Sequence, residues 1–206
     1  MDIYQKSLEL HKKHQGKLGT TGIVVVKNKD DLATYYTPGV AEPSRAIAKD
    51  PALSYDLTLR GRTIAVISDG SAVLGLGNIG PEAAMPVMEG KALLLKEFGG
   101  VDAFPLVINA TQAPEIIQFV RHVAPTFAGI LLEDITAPKC FVVEEQLQDL
   151  GIPVFHDDQH GTAIIVKAAL MNAAKAVKKD FSTLNVVIVG AGAAGLAVAR
   201  MLLGLN

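Results

Sequence analysis

The sequence has no tryptophan and a single cysteine, and aromatic residues make up only 5% of its 206 positions. One thiol, Cys140, cannot close an internal disulfide, which excludes the disulfide-held scaffolds of small secreted proteins. No run approaches the ~18 apolar residues of a membrane span. Neither sign of charge prevails. With 19 Lys and Arg against 21 Asp and Glu, the formal net charge is -2, and the chain offers no basic field to nucleic acid or to anionic lipid. The opening MDIYQKSLELHKKH breaks any signal-peptide core with charges. These absences point to a cytoplasmic globular protein, 50% apolar, whose partners are small molecules, anionic ones included.

What the sequence does have is alternation. From Thr63 onward strand-like apolar runs alternate with helix-like segments, which predicts an α/β fold with a parallel-rich sheet. Strands are expected at Thr63–Ser68, Phe104–Asn109, Phe127–Leu132, Ile152–Phe155 and Asn185–Val189. Helices are expected at Pro81–Phe98, Pro114–Val123, Pro138–Leu150, Gly161–Lys179 and Gly192–Leu203, several opening on the proline that first turns favour. Residues 1–40 read as an amino-terminal arm: an amphipathic helix near Asp2–His14, the short run Gly22–Val26, and the start of the turn-rich YYTPGVAEP. Residues 41–180 form an α/β substrate- and metal-binding domain, and the polar stretch Lys175–Ser182 closes it. The arm packs more easily against a second chain than alone, so a homodimer or higher homo-oligomer is expected.

Residues 181–206 open a new unit, LNVVIVGAGAAGLAVARMLL. Gly190, Gly192 and Gly195 fit G-x-G-x-x-G between a strand and a helix, with Ala193 and Ala194 inside the loop. Bare backbone there can approach a pyrophosphate at the helix start. The acidic residue that would hold the ribose, about 20 positions further on, falls beyond Asn206, so a Rossmann-type domain is expected to be truncated after one βα unit. A second match, Gly75, Gly77 and Gly80 in GLGNIG, suits a glycine turn shaping a substrate pocket as well as a second nucleotide loop.

Two features carry chemistry. In EAAMPVMEGKALLLKEFG, Lys91 shares a helical face with Ala84, Val87, Met88, Leu94, Leu95 and Phe98. It is either a lysine snorkelling from the stripe's edge or a desolvated one, whose pKa falls until it can act as a base. Secondly, Glu133 and Asp134 follow one predicted strand and Asp157 and Asp158 follow another. If those strands are parallel neighbours, all four carboxylates meet at one sheet edge. Such charge needs a hard divalent cation, Mg²⁺ or Mn²⁺ rather than zinc, because no Cys–His spacing is present. Asp69, after a third strand, shares that edge. Tyr36, before a proline-glycine turn, suits a proton donor as well as simple packing. His156 and His160 read as hydrogen-bonding packing residues, and Cys140 as a buried structural thiol.

From DLATYYTPGVAEP through SDGSAVLGLGNIGPEAAMPVMEGKA, LLEDITAPKCF and PVFHDDQHGTA to VVIVGAGAAG, the chain closely resembles the amino-terminal portion of bacterial malic enzymes. The resemblance implies oxidative decarboxylation of malate to pyruvate and carbon dioxide with NAD or NADP and a divalent metal. It implies Lys91 as the base for malate oxidation, Tyr36 as the acid that protonates C3, and Asp157 as the partner of Lys91. Glu133, Asp134 and Asp158 would hold Mg²⁺ or Mn²⁺. Ala72 stands where eukaryotic members carry a substrate-binding arginine, so the malate carboxylate must be recognised elsewhere. The 206 residues alone are expected to be inactive in malate oxidation. An oxaloacetate decarboxylase on the same scaffold and a non-catalytic dimerising fragment are the alternatives.

Overall fold

The computed structural model describes residues 2–204. Before the first strand the chain is helical: α1 (Ile3–His14), α2 (Lys29–Tyr35), α3 (Ala41–Lys49) and α4 (Ser54–Leu57). Asp2 caps α1 by accepting from the Tyr4 and Gln5 amides at 2.7 and 3.0 Å, satisfying two amides that have no partner inside the helix. None of these four helices has a fully buried residue. Gly22–Val26 forms no strand, and among the described residues no strand pairs with it. The arm is tied down at Lys17, whose amide donates to Glu89 at 3.0 Å.

From Thr63 the expected alternation appears as β1 (Thr63–Ser68), α5 (Pro81–Gly99), β2 (Asp102–Val107), α6 (Ala113–Val123), β3 (Gly129–Leu132), α7 (Lys139–Glu145), β4 (Val154–His156) and α8 (Asp157–Ala176). The four strands form one sheet in the order β2-β1-β3-β4, every pairing parallel. Side chains alternate across a strand, so Ala65, Ile67, Ile130 and Leu132 face one layer while Val66 and Leu131 face the other. The first layer is filled by Ile116 and Val120 of α6 with Val143 of α7 and Leu147 just after it. On the second, Met88 of α5 is packed against Val66 and Leu131. Helices cover both faces, as a parallel sheet requires.

Three expectations fail. The helix expected from Gly161 begins four residues earlier at Asp157, because acidic side chains are favoured in a first turn, where free amides and the helix dipole attract negative charge. The helix expected over Pro138–Leu150 holds only from Lys139 to Glu145 and then breaks into turns. No strand forms at Asn185–Val189; Val187 and Val189 are exposed, and among the described residues no strand pairs with them. The helix after the glycine loop, α9 (Ala193–Leu203), does form. It packs on α8 through Ala197 and Val198 against Ala163.

Candidate active site

Because β1, β3 and β4 are parallel neighbours, their carboxyl ends deliver Asp69, Glu133 with Asp134, and Asp157 with Asp158 to one edge, as the sequence suggests. One ligand oxygen each from Glu133, Asp134 and Asp158 lies within 4.8 Å of the others. Glu133 and Asp134 are buried, and Glu133 Oε2 and Asp134 Oδ2 lack any hydrogen-bond partner among the described residues. The Asp134 backbone sits at φ 54°, a left-handed conformation that aspartate tolerates better than most residues. Its carbonyl accepts from the Ala72 amide at 2.9 Å and its amide donates to Asp158 at 3.0 Å. Strand-end carboxylates and the loop after β1 are thereby locked together. In that loop Gly75, Gly77 and Gly80 all take positive φ and Val73 bridges to Gly77, which makes the segment a tight glycine turn beside the carboxylates.

Lys91 reaches this cluster from α5. Its ammonium donates to Asp157 at 2.7 Å and lies 3.1 Å from Glu133. Only part of the expected apolar stripe surrounds it: Ala84 and Met88 are buried, whereas Val87, Leu94 and Phe98 are exposed. Burial is the strongest single influence on the lysine and lowers its pKa, but Asp157 and Glu133 together outweigh it, and the pKa is raised. The expected fall in pKa is thus overturned, because a desolvated lysine with two carboxylate partners keeps its proton. A Cβ added at Gly161 would lie 2.1 Å from Asp157 Oδ1, so glycine there gives Asp157 room to face Lys91. A cleft of about 480 Å³, lined by Asp157, Gly161, Thr162, Ile164, Ile165 and Val166, opens alongside. A larger cleft, about 680 Å³, lies on the arm around Leu10 and Lys17 and shares no residue with the carboxylates.

The remaining sequence candidates lie apart. Tyr36 caps the end of α2 and is 67% exposed; among the described residues its hydroxyl makes no hydrogen bond to the cluster. In the second glycine loop Gly190 adopts φ 112°, and a Cβ at Gly195 would fall 2.2 Å from the Gly190 carbonyl oxygen. Ala193 and Ala194 form the first turn of α9. The loop therefore keeps the close backbone approach of a phosphate cradle although the preceding strand is absent.

Residues 15–114 match the malic enzyme N-terminal domain. Over 203 residues the chain is 53% identical to the bifunctional malic/malolactic enzyme of Bacillus subtilis, covering 98% of this chain and 50% of the relative. It is 57% identical over 189 residues to the NAD-dependent malic enzyme of Geobacillus stearothermophilus, covering 91% and 40%. The crystal structure of malic enzyme from Pyrococcus horikoshii superposes with a TM-score of 0.94 at 52% identity, over 98% of this chain and 48% of that one. Nearly the whole chain is similar to malic enzymes. It corresponds to the amino-terminal portion and spans about half the length, or less, of the curated relatives it matches. NADP-dependent malic enzymes are among the other relatives.

Sequence reasoning missed the frame beneath this carboxylate cluster. Lys139, from α7, forms a buried ion pair with Asp69 and donates to the Thr111 carbonyl at 3.2 Å. Asp69 also accepts from the Ser71 amide and hydroxyl at 3.1 and 2.6 Å, and Ser71 in turn accepts from the Thr136 amide at 2.9 Å. Glu144, also on α7, accepts from the His156 amide at 3.1 Å and from Gln159 at 2.9 Å, and sits 2.7 Å from His160 Nε2. Acidic or basic residues inside an apolar helix were the available signal; Glu144 within KCFVVEE carried it. Cys140 is buried as expected, and burial pushes its thiol up to about 11.

Burial pushes Glu133 up to about 8 against the pull of Lys91, and burial together with Asp158 pushes Asp134 up to about 6. A carboxyl raised in the folded state holds its proton more tightly there than when unfolded. Its stabilisation is complete below the unfolded pKa and is lost as pH rises through the folded one. His156, lowered by burial, acts oppositely, but only below its ordinary 6.5. Metal-free protein is therefore expected to melt at progressively lower temperature between about pH 6.5 and about pH 8, the Glu133 window. Calorimetric scans in chelator would show this, and a flat or rising midpoint would contradict the burial of Glu133.

Proposed function

We propose that the chain supplies the substrate- and metal-binding half of an enzyme that oxidatively decarboxylates malate to pyruvate and carbon dioxide. The observation that carries this reading is the convergence of Glu133, Asp134 and Asp158, two of them with orphaned buried oxygens, beside the Lys91–Asp157 pair. An all-carboxylate donor set fits a hard divalent cation, Mg²⁺ or Mn²⁺, and these three residues would hold it. Such a cation would supply Lewis-acid polarisation of substrate oxygens. The Gly190–Gly195 loop fits the pyrophosphate of NAD or NADP, whose nicotinamide supplies the hydride acceptor.

Lys91 would take the proton of the C2 hydroxyl and Asp157 would hold its ammonium in line. A base must first be neutral, so the reading requires the charge of Glu133 to be engaged by the cation rather than by the lysine. Tyr36 would return a proton to C3 after carbon dioxide leaves, which requires the arm to close on the cluster or a partner's arm to reach it. The exposed helices of residues 1–40 support a homodimer, and we take the enzyme to be cytoplasmic.

The 206 residues alone assemble the carboxylates but not a sheet around the glycine loop. We therefore expect them to lack malate oxidation while retaining metal-dependent decarboxylation of oxaloacetate. Asp134→Asn should abolish both Mn²⁺ binding by calorimetry and oxaloacetate-dependent pyruvate formation. Wild-type Mn²⁺ affinity in that variant would overturn the assigned site.

A further inference from the structure

Beside the orphaned oxygens of Glu133 and Asp134, His156 stands out because both of its ring nitrogens are unpaired among the described residues. Its side chain is fully buried. Buried polar atoms are nearly always paired, and an exception calls for an explanation. The nearest carboxylate contact is Nε2 to Asp158 Oδ2 at 3.5 Å, longer than the roughly 2.7–3.2 Å of an ordinary N–H···O bond. The same Oδ2 accepts from the Asp134 amide at 3.0 Å.

The ring is held by a rigid frame. His156 is the last residue of β4, in register with Leu132 of β3, and its amide is fixed by Glu144, which Gln159 and His160 fix in turn. Asp158 follows two residues later in the first turn of α8. The Asp134 amide grips Asp158 Oδ2 from one side, and a second donor better holds the orientation of a carboxylate crowded by Glu133 and Asp134. Donors behind metal-ligating groups commonly do this, and their loss typically costs about 10–100-fold in metal affinity.

We infer that His156 is a positioning residue for the metal site: its Nε2–H, together with the Asp134 amide, holds Asp158 Oδ2 and so fixes the orientation of the carboxylate beside Glu133 and Asp134. This rests on the metal reading above. The bland alternative is an imidazole that merely fills core volume, a role phenylalanine would take over and a hydrogen-bond donor would not improve.

The test is Mn²⁺ calorimetry on the 206-residue wild type, His156→Phe and His156→Gln, with circular dichroism for fold and ¹⁵N-histidine NMR of the metal-free wild type. Glutamine places an N–H about where Nε2 lies, so it separates donation from volume. His156→Phe should bind Mn²⁺ about 10–100-fold more weakly, His156→Gln should recover most of the loss, and the wild-type ring should carry a proton on Nε2. Unchanged affinity in His156→Phe overturns the inference, as does a folded His156→Gln variant no better than His156→Phe, or an Nε2 without a proton. If His156→Phe does not fold, the glutamine variant and the ring proton decide the matter. A wild type that binds no Mn²⁺ sinks the metal reading and this inference with it, whereas wild-type binding with an indifferent His156 sinks the inference alone.

Discussion

Lys139→Met should destabilise the folded chain by about 3–5 kcal/mol, the usual cost of stranding one charge of a buried pair. Asp69 has a side chain only 1% exposed, and without Lys139 its compensation would fall to the Ser71 amide and hydroxyl. Water cannot easily reach in to replace the ammonium. The double variant Lys139→Met/Asp69→Asn should recover much of the loss, because it removes the stranded charge along with its partner. Urea unfolding of the single and double variants would measure this. A single variant as stable as wild type would mean that Asp69 is satisfied by Ser71 alone.

The second large effect concerns turnover. In a polypeptide that joins this chain to a complete nucleotide-binding domain, Lys91→Met should lower malate oxidation by a factor of about 10²–10⁴, the range for losing a positioned acid or base. Mn²⁺ should bind at least as tightly as before, since the variant removes a cation 3.1 Å from Glu133. Steady-state kinetics and calorimetry on one preparation separate the two effects. Near-native turnover with intact fold would reduce Lys91 to a structural counter-ion.

Sheet and site were legible in the sequence to different depths. β1 was read to the residue because TIAVIS is bounded by a helical turn before it and Asp69–Gly70 after it, while other strand edges slipped by two residues or so. The carboxylates after β3 and β4 could be read because a parallel sheet aligns strand ends, an inference needing only the order of elements. The protonation of Lys91 was misread because a helical wheel shows apolar neighbours on its own helix and is blind to Glu133 and Asp157, 42 and 66 positions away. The failed strand at Asn185–Val189 teaches the complementary lesson: the pattern VVIV specifies a preference, but a strand exists only where another backbone pairs with it. His156, read as a hydrogen-bonding packing residue, has a ring with no hydrogen bond among the described residues, and Lys139 went unassigned, because single polar residues at element ends acquire meaning only through partners that the chain order does not reveal.

The strand order β2-β1-β3-β4 also constrains how the molecule comes to exist. β1 must wait for a segment more than sixty residues later before its second neighbour arrives, and β4 can add only after β3 is seated. Such non-local pairing is entropically costly and makes for slow folding. Glu133 and Asp134 ride on the third strand and Asp158 on the element after the fourth, so the cluster cannot pre-exist in a half-formed sheet. On the proposed metal reading, loading with a cation would be a late checkpoint in maturation: a nascent chain or a misregistered intermediate offers scattered carboxylates, and only the finished sheet brings Glu133, Asp134 and Asp158 together.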